Sequence, residues 1–339
     1  MFHFRKIKIL AQTLSLRKIV NFGKIYTSFH VSRLLGKSYH WGNPMKVGIE
    51  PTTSCNLRCP ECPSGLRSFT RPTGMLKLSD FEQMIAQLHQ DLIYLLLYFQ
   101  GEPYLNKAFF DMAKAAKEKG IYSATSTNGH YLTLENARKT VNSGLSELII
   151  SIDGTTQEVY EQYRVGGNLE KVKEGVRNLV QARTELNSLT PFLVIQFLVV
   201  KPNEHQIADI EILGKELGID KVVFKTAQIY DYEQGSDLIP DLEKYSRYKK
   251  AENGTYKIKN NLNNQCWKLW HGAEITWDGK VLPCCFDKDG EFEMGNLLTQ
   301  DFHSIWRSEG YHQFRNTLLK SRKEIEMCKN CSEGTEVWA

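Results

Sequence analysis

A chain of 339 residues is long enough to bury a full core and exceeds one average domain, so one large domain with a smaller companion is the expectation. At 41% hydrophobic and 24% charged residues the composition is that of an ordinary globular protein, and a formal charge of only +4 argues against a nucleic-acid partner. No uninterrupted apolar stretch approaches the roughly 20 residues that span a bilayer.

Residues 1–45 stand apart. Arg5, Lys6, Lys8, Arg17, Lys18, Lys24, Arg33 and Lys37 are positive, and no Asp or Glu precedes Glu50. Ile7, Leu10, Leu14, Ile19, Val20, Phe22 and Ile25 recur at near-helical spacing, which predicts one or two basic amphipathic helices. Three readings compete for this extension: a helical flap on the main domain, a peripheral contact with an anionic membrane or an acidic partner, and a transit peptide.

From Met45 onward, strands alternate with helices. Strands are expected at 47–49, 95–99, 122–125, 148–152, 192–200 and 222–224, with helices over 78–88, 108–119, 134–143, 169–186 and 204–217. Six strands with helical crossovers predict an α/β fold, a parallel sheet curled into a partial (β/α)6 TIM-like barrel. The barrel takes residues 46–227. Residues 228–263 lose the periodicity and read as a linker or lid with a helical segment near 242–250, and 264–339 form a small C-terminal domain.

The loop after the first strand reads Cys55-Asn56-Leu57-Arg58-Cys59-Pro60-Glu61-Cys62. A [4Fe–4S] cluster wants four thiolates, so three on one short loop leave one iron open. A structural zinc site is the bland rival, but zinc draws a fourth ligand from close by. The spacing resembles that of the radical S-adenosylmethionine (SAM) superfamily. The resemblance implies a [4Fe–4S] cluster held by Cys55, Cys59 and Cys62, its fourth iron chelated by SAM. Glu61 stands where most members of that family carry an aromatic residue.

The resemblance extends to later strand ends. Gln100-Gly101-Glu102-Pro103 resembles the family's Gly-Gly-Glu motif, which assigns Gly101 and Glu102 to the SAM amino group; Gln100 replaces the first glycine. Asn128 sits in a polar turn at the height of a ribose or carboxylate. Ser151, in Ser-Ile-Asp-Gly, matches the family's Ser-x-Asp-Gly and faces the SAM carboxylate or ribose, and Arg164 stands where relatives present an arginine to the carboxylate. Gln196 is polar in an otherwise apolar fifth strand, so it either reaches into the cavity or caps a neighbouring backbone group. Asn203 reads as the N-cap of the next helix.

Five of the eight cysteines lie near the C-terminus: Cys266, Cys284, Cys285, Cys328 and Cys331. Residues 274–284 read as a hairpin turning at Asp278-Gly279. This region resembles a SPASM domain, the auxiliary-cluster extension of many radical SAM enzymes, in a version with ligands for one [4Fe–4S] cluster. The ligand set is Cys266, Cys284, Cys328 and Cys331, with Cys285 the alternative to Cys284 and a structural zinc the rival occupant.

The resemblance implies reductive cleavage of SAM to a 5′-deoxyadenosyl radical that takes hydrogen from a substrate carbon. The outcome expected is an oxidative modification, dehydrogenation or bond formation, of a small molecule, sugar or peptide, with a flavodoxin or ferredoxin as electron donor. A peptide- or protein-modifying maturase or epimerase is the alternative within the superfamily; an iron–sulfur electron carrier and a zinc-stapled binding protein are the alternatives outside it. With no secretory pattern and metal-type cysteine spacings, a reducing cytoplasm is the expected location, with the basic N-terminus allowing a peripheral membrane position.

Overall fold

The computed structural model describes residues 4–331; the ends of the first and last assigned regions fall outside them. Two helices come first, α1 (Phe4–Ala11) and α2 (Leu16–Leu35). Ser15 caps α2 by accepting from the Lys18 amide, and Gly36 ends it in the left-handed conformation at φ 62°.

The alternation then follows: β1 (Lys46–Ile49), α3 (Pro63–Leu66), α4 (Leu78–Leu88), β2 (Tyr94–Leu96), α5 (Phe109–Glu118), β3 (Tyr122–Thr127), α6 (Leu134–Asn142), β4 (Glu147–Ser151), α7 (Gln157–Tyr163), α8 (Leu169–Glu185), β5 (Phe192–Val199), α9 (Ile207–Glu216) and β6 (Lys221–Thr226). Thr133, Thr156 and Asn168 each cap the helix that follows them. β1 to β6 pair in sequence order, all parallel, as right-handed βαβ units require. The sheet is the expected partial barrel.

Strand alternation divides the apolar residues between two faces. Val47, Leu95, Leu97, Leu148, Ile150, Leu193, Ile195 and Phe197 join the helices in the main core. Tyr122, Phe192 and Val194 face the lumen, with Tyr94, Ile149 and Val223 against them, and Ile9 of α1 completes that cluster. Arg5 pairs with Asp220 and Lys6 with Glu147. The first helix therefore plugs the lumen floor. The second packs alongside: Phe29 meets Trp267 and Trp270 at ring separations of 5.2 and 5.5 Å. The described part of this extension is thus packed on the barrel and on the C-terminal part.

The segment expected to be helical near 242–250 is a 3-10 turn over Glu243–Tyr245 followed by a hairpin of β7 (Tyr248–Lys250) and β8 (Tyr256–Ile258). Tyr248 and Ile258 pair across it; Tyr248 buries its ring, and its hydroxyl donates to Asn330 at 2.8 Å, so tertiary partners override a weak helical pattern. Asn203 also departs from expectation. Its amide accepts from the Val200 backbone, at the third position of the 3-10 turn Lys201–Gln206 rather than as the N-cap residue, and donates to the Asp153 and Leu198 carbonyls, tying β5 to the end of β4.

The C-terminal part begins with α10 (Lys268–His271), β9 (Gly272–Ile275) and β10 (Lys280–Leu282), turning at Gly279 with φ 87° as the Asp-Gly signal predicts. It ends with β11 (Gly295–Asn296), α11 (Phe302–Trp306), α12 (Glu309–Ser321) and α13 (Glu326–Lys329). β9 pairs in parallel with β1, so the hairpin continues the barrel sheet to nine strands. Glu50, just past β1, locks the join: it takes a two-pronged bond from Arg71 at 2.6 and 2.8 Å and accepts from the Trp277 amide at 3.3 Å. Both partners are buried, so removing either would cost about 3–5 kcal/mol.

Candidate functional site: two thiol sets around a barrel lumen

The loop leaving β1 carries Cys55, Cys59 and Cys62, all free, with Cys59 buried and the outer two half-buried. Polar groups face their sulfurs. The Leu57 amide is 3.5 Å from Cys55 Sγ, Asn128 Nδ2 is 3.8 Å from the same atom, and Arg164 Nη1 is 3.8 Å from Cys59 Sγ. Burial pushes the Cys55 thiol up to about 11 and raises that of Cys59.

Gly101, at φ 75°, brings its backbone against this loop; a Cβ there would stand 2.2 Å from the Thr52 carbonyl oxygen. Its amide donates to Ser64 and the next amide to the Ser54 carbonyl. Glu102 is thereby fixed beneath the thiols. Its carboxylate accepts from Thr127 Oγ1 at 2.8 Å, the Asn128 amide at 2.7 Å and the Tyr104 amide at 3.2 Å. Burial still dominates and lifts the carboxyl to about 7.

Asn128 holds Asn56 of the cysteine loop at 2.8 Å, and its carbonyl oxygens orient His130. Arg164 lies in an ion pair with Asp153 at 2.5 Å and above the Tyr163 ring, and the charge of Asp153 helps hold it firmly protonated. Asp153 also accepts from the Leu198 amide, a partnership that its place in Ser-Ile-Asp-Gly did not reveal. Ser151 and Gln196 stand opposite each other in the β4–β5 register. Gln196 shares its face with Phe192 and Val194, so of its two readings it takes the lumen one. Glu61 accepts from the Tyr230 amide at 3.0 Å and so ties the cysteine loop to the segment that follows β6.

The second thiol set lies across the lumen. Cys266, Cys328 and Cys331 are buried, and Cys284 and Cys285 are half-buried. Arg322, itself buried, sits against Cys266, Cys328 and Cys331 and is raised by their charge. Cys284 hydrogen-bonds Cys285 and shares its surroundings with Cys266 and Cys331, while Cys285 faces Lys268, Lys46 and Lys288. Asn330, between Cys328 and Cys331, binds the Ile229 carbonyl, Tyr248 and Arg247, which knits this set to the same segment. The donor sets fit iron–sulfur clusters: free, desolvated thiols, each set with a cation beside it. They are spread; among the described residues no three His, Cys, Asp or Glu side chains close into the tight shell of a single ion.

A parallel barrel with three thiols at the carboxyl end of its first strand defines the class as an iron–sulfur enzyme scaffold. Residues 49–209 match the radical SAM superfamily and residues 266–332 match SPASM, an iron-sulfur cluster-binding domain. The chain belongs to the radical SAM superfamily and carries a SPASM domain at its C-terminal end.

Among its relatives, the tungsten-containing aldehyde ferredoxin oxidoreductase cofactor-modifying protein of Pyrococcus furiosus is 26% identical over 316 residues, covering 84% of this chain and 86% of that one. PqqA peptide cyclase of Bradyrhizobium diazoefficiens is 23% identical over 319 residues, 86% of this chain and 79% of that one. In fold the chain is similar to SuiB of Streptococcus suis bound to S-adenosylmethionine, at TM-score 0.63 and 14% identity over 87% of this chain and 73% of that one. It is also similar to BtrN in complex with AdoMet and 2-DOIA, at 0.53 and 20%, over 87% and 95%. The cofactors of the family are a [4Fe–4S] cluster with SAM and auxiliary iron–sulfur binding, which replaces zinc as the occupant of the C-terminal thiols.

Proposed function

We propose that this radical SAM enzyme is an oxidoreductase that dehydrogenates, or forms a bond in, a small molecule or peptide. The observation that carries the reading is the juxtaposition at the barrel mouth of three free thiols, a buried Glu102 and an Arg164 fork. When bound, the reduced cluster and SAM supply a 5′-deoxyadenosyl radical able to take hydrogen from carbon. The chain's own part is placement. Cys55, Cys59 and Cys62 hold the cluster, and Gly101 lets Glu102 come close enough to accept from the SAM amino group. An ammonium beside Glu102 keeps its carboxyl ionised against the pull of burial.

Arg164 offers its outer nitrogens to a carboxylate while Asp153 fixes its plane, and Asn128, Ser151 and Gln196 line the remaining polar wall. Cys266, Cys284, Cys328 and Cys331 hold one auxiliary cluster with Arg322 as counter-charge. A flavodoxin or ferredoxin delivers the electron in a reducing cytoplasm. The apolar and basic outer face of α2 rests on anionic lipid.

The test is anaerobic reconstitution with iron and sulfide, then dithionite and SAM, and chromatography for 5′-deoxyadenosine. The wild type forms it, Cys59→Ala forms none, and Cys328→Ala retains part of the cleavage. Equal loss in both variants would contradict the division of labour between the thiol sets.

A further inference from the structure

His130 is buried just past the polar turn that ends β3, and both of its ring nitrogens are engaged. Nε2 lies 2.8 Å from the Asn168 amide. A backbone N–H can only donate, so Nε2 is the bare nitrogen and the proton sits on Nδ1. Desolvation, which pulls the ring below its usual range, keeps it neutral. Nδ1 then donates to Asn128, whose carbonyl oxygen and Oδ1 lie 3.1 and 3.0 Å away.

Asn128 Oδ1 has a second donor in the His130 amide, at 3.1 Å. With Oδ1 held twice from one side, the side-chain amide has one orientation, and Nδ2 faces the other way, toward Asn56 Oδ1 at 2.8 Å and Cys55 Sγ at 3.8 Å. Turned over, it would aim an oxygen at a thiolate. The backbone is fixed as well: the Asn128 amide donates to Glu102 at 2.7 Å, and Gly129 turns the chain at φ 81°, where a Cβ would stand 2.8 Å from Val172 Cγ1. Asn168 is the N-cap of α8, so the far end of the imidazole rests on a helix terminus.

We propose that His130 is a positioning residue for the redox step: it holds the Asn128 amide with its N–H toward Cys55, and that bond raises the reduction potential of the cluster on Cys55, Cys59 and Cys62. The inference rests on the radical SAM reading, which supplies the cluster. The physical reason is charge. An N–H aimed at a thiolate sulfur favours the more negative, reduced state over the oxidised one. The other donor to this sulfur, the Leu57 amide at 3.5 Å, is backbone; the Asn128 bond is the one that a side chain sets.

The test is a redox titration followed by electron paramagnetic resonance, without SAM, on the anaerobically reconstituted Cys328→Ala/Cys331→Ala chain, which lacks two ligands of the auxiliary cluster. Two neutral substitutions separate the two bonds of the ring. An asparagine amide reaches as far as Nδ1 and keeps the donor to Asn128, whereas a glutamine amide reaches as far as Nε2 and keeps only the anchor to Asn168. His130→Gln and Asn128→Leu should each shift the reduction equilibrium about tenfold toward the oxidised form, a potential about 59 mV more negative for one electron. His130→Asn should leave it at the parent value. A role in folding alone would lower Tm in both His130 variants and move neither potential.

Iron content confirms that each variant is loaded, and where His130→Gln does not load, Asn128→Leu carries the comparison. An unchanged potential in the loaded variants, or an equal shift in His130→Asn and His130→Gln, overturns the inference. Weaker SAM binding at an unchanged potential overturns it too, because the Asn128 amide would then serve SAM and not the sulfur. A parent chain with no [4Fe–4S] signal that responds to SAM overturns the reading beneath it instead.

Discussion

Glu50 and Glu102 are both buried carboxylates at strand ends, and their partners give them different work. Glu50 meets a complete guanidinium and is structural; Glu102 meets only neutral donors, which position it while leaving its charge available. His271 shows the same principle for a base. It is buried, its Nδ1 lies 2.8 Å from the Trp267 carbonyl, and desolvation lowers it to about 4 from 6.5. The unfolded chain therefore takes up the proton first as pH falls. The stability gained by keeping His271 neutral is intact above about pH 6.5 and is lost progressively toward pH 4, by up to about 3 kcal/mol. Comparing Tm at pH 7.5 and 5.0 under anaerobic conditions tests this: the acid-induced drop should shrink in His271→Gln, and an equal drop in both proteins would contradict it.

At the scale of elements, α2 presents two faces. Ile25 and Phe29 are buried, whereas Leu16, Ile19, Val20, Leu34 and Leu35 are exposed, Leu34 at 85%. Leu16 and Val20 border a groove of about 460 Å³ that also holds Lys24, Arg307 and Arg17, the last paired with Asp91. Exposed leucines at helical spacing beside cations suit an anionic headgroup surface. The full chain should co-sediment with vesicles containing phosphatidylglycerol and not with phosphatidylcholine alone, and Leu16→Ser with Val20→Ser should weaken this about tenfold. Equal binding to both vesicle types would contradict it.

Elements with strong local pattern were legible: the helix at 78–88 coincides with its periodicity because its buried positions repeat at 3.6, and the strand starting at Phe192 shows as a continuous apolar run buried on both faces. The hairpin at Tyr248 was not, since its pairing depends on Asn330, 82 positions away. The role of α1 as a floor was equally hidden, because Ile9 finds Phe192 only once the barrel has curled. The cysteine loop stood out because three ligands are close in sequence.

As a whole molecule, the barrel and the C-terminal hairpin share one sheet, with β9 laid parallel to β1 and Glu50 gripping Arg71 at the seam. That continuity holds the second thiol set beside the barrel, with Lys288 electrostatically between Cys62 and Cys285. The division between an open site at the mouth and a closed one behind it is what the account depends on. The direct measurement is electron paramagnetic resonance of the dithionite-reduced Cys328→Ala/Cys331→Ala variant, recorded with and without SAM. The account predicts a [4Fe–4S] signal from the Cys55, Cys59 and Cys62 site whose g-values shift when SAM is added; a signal that SAM leaves unchanged, or none from that site, would contradict it.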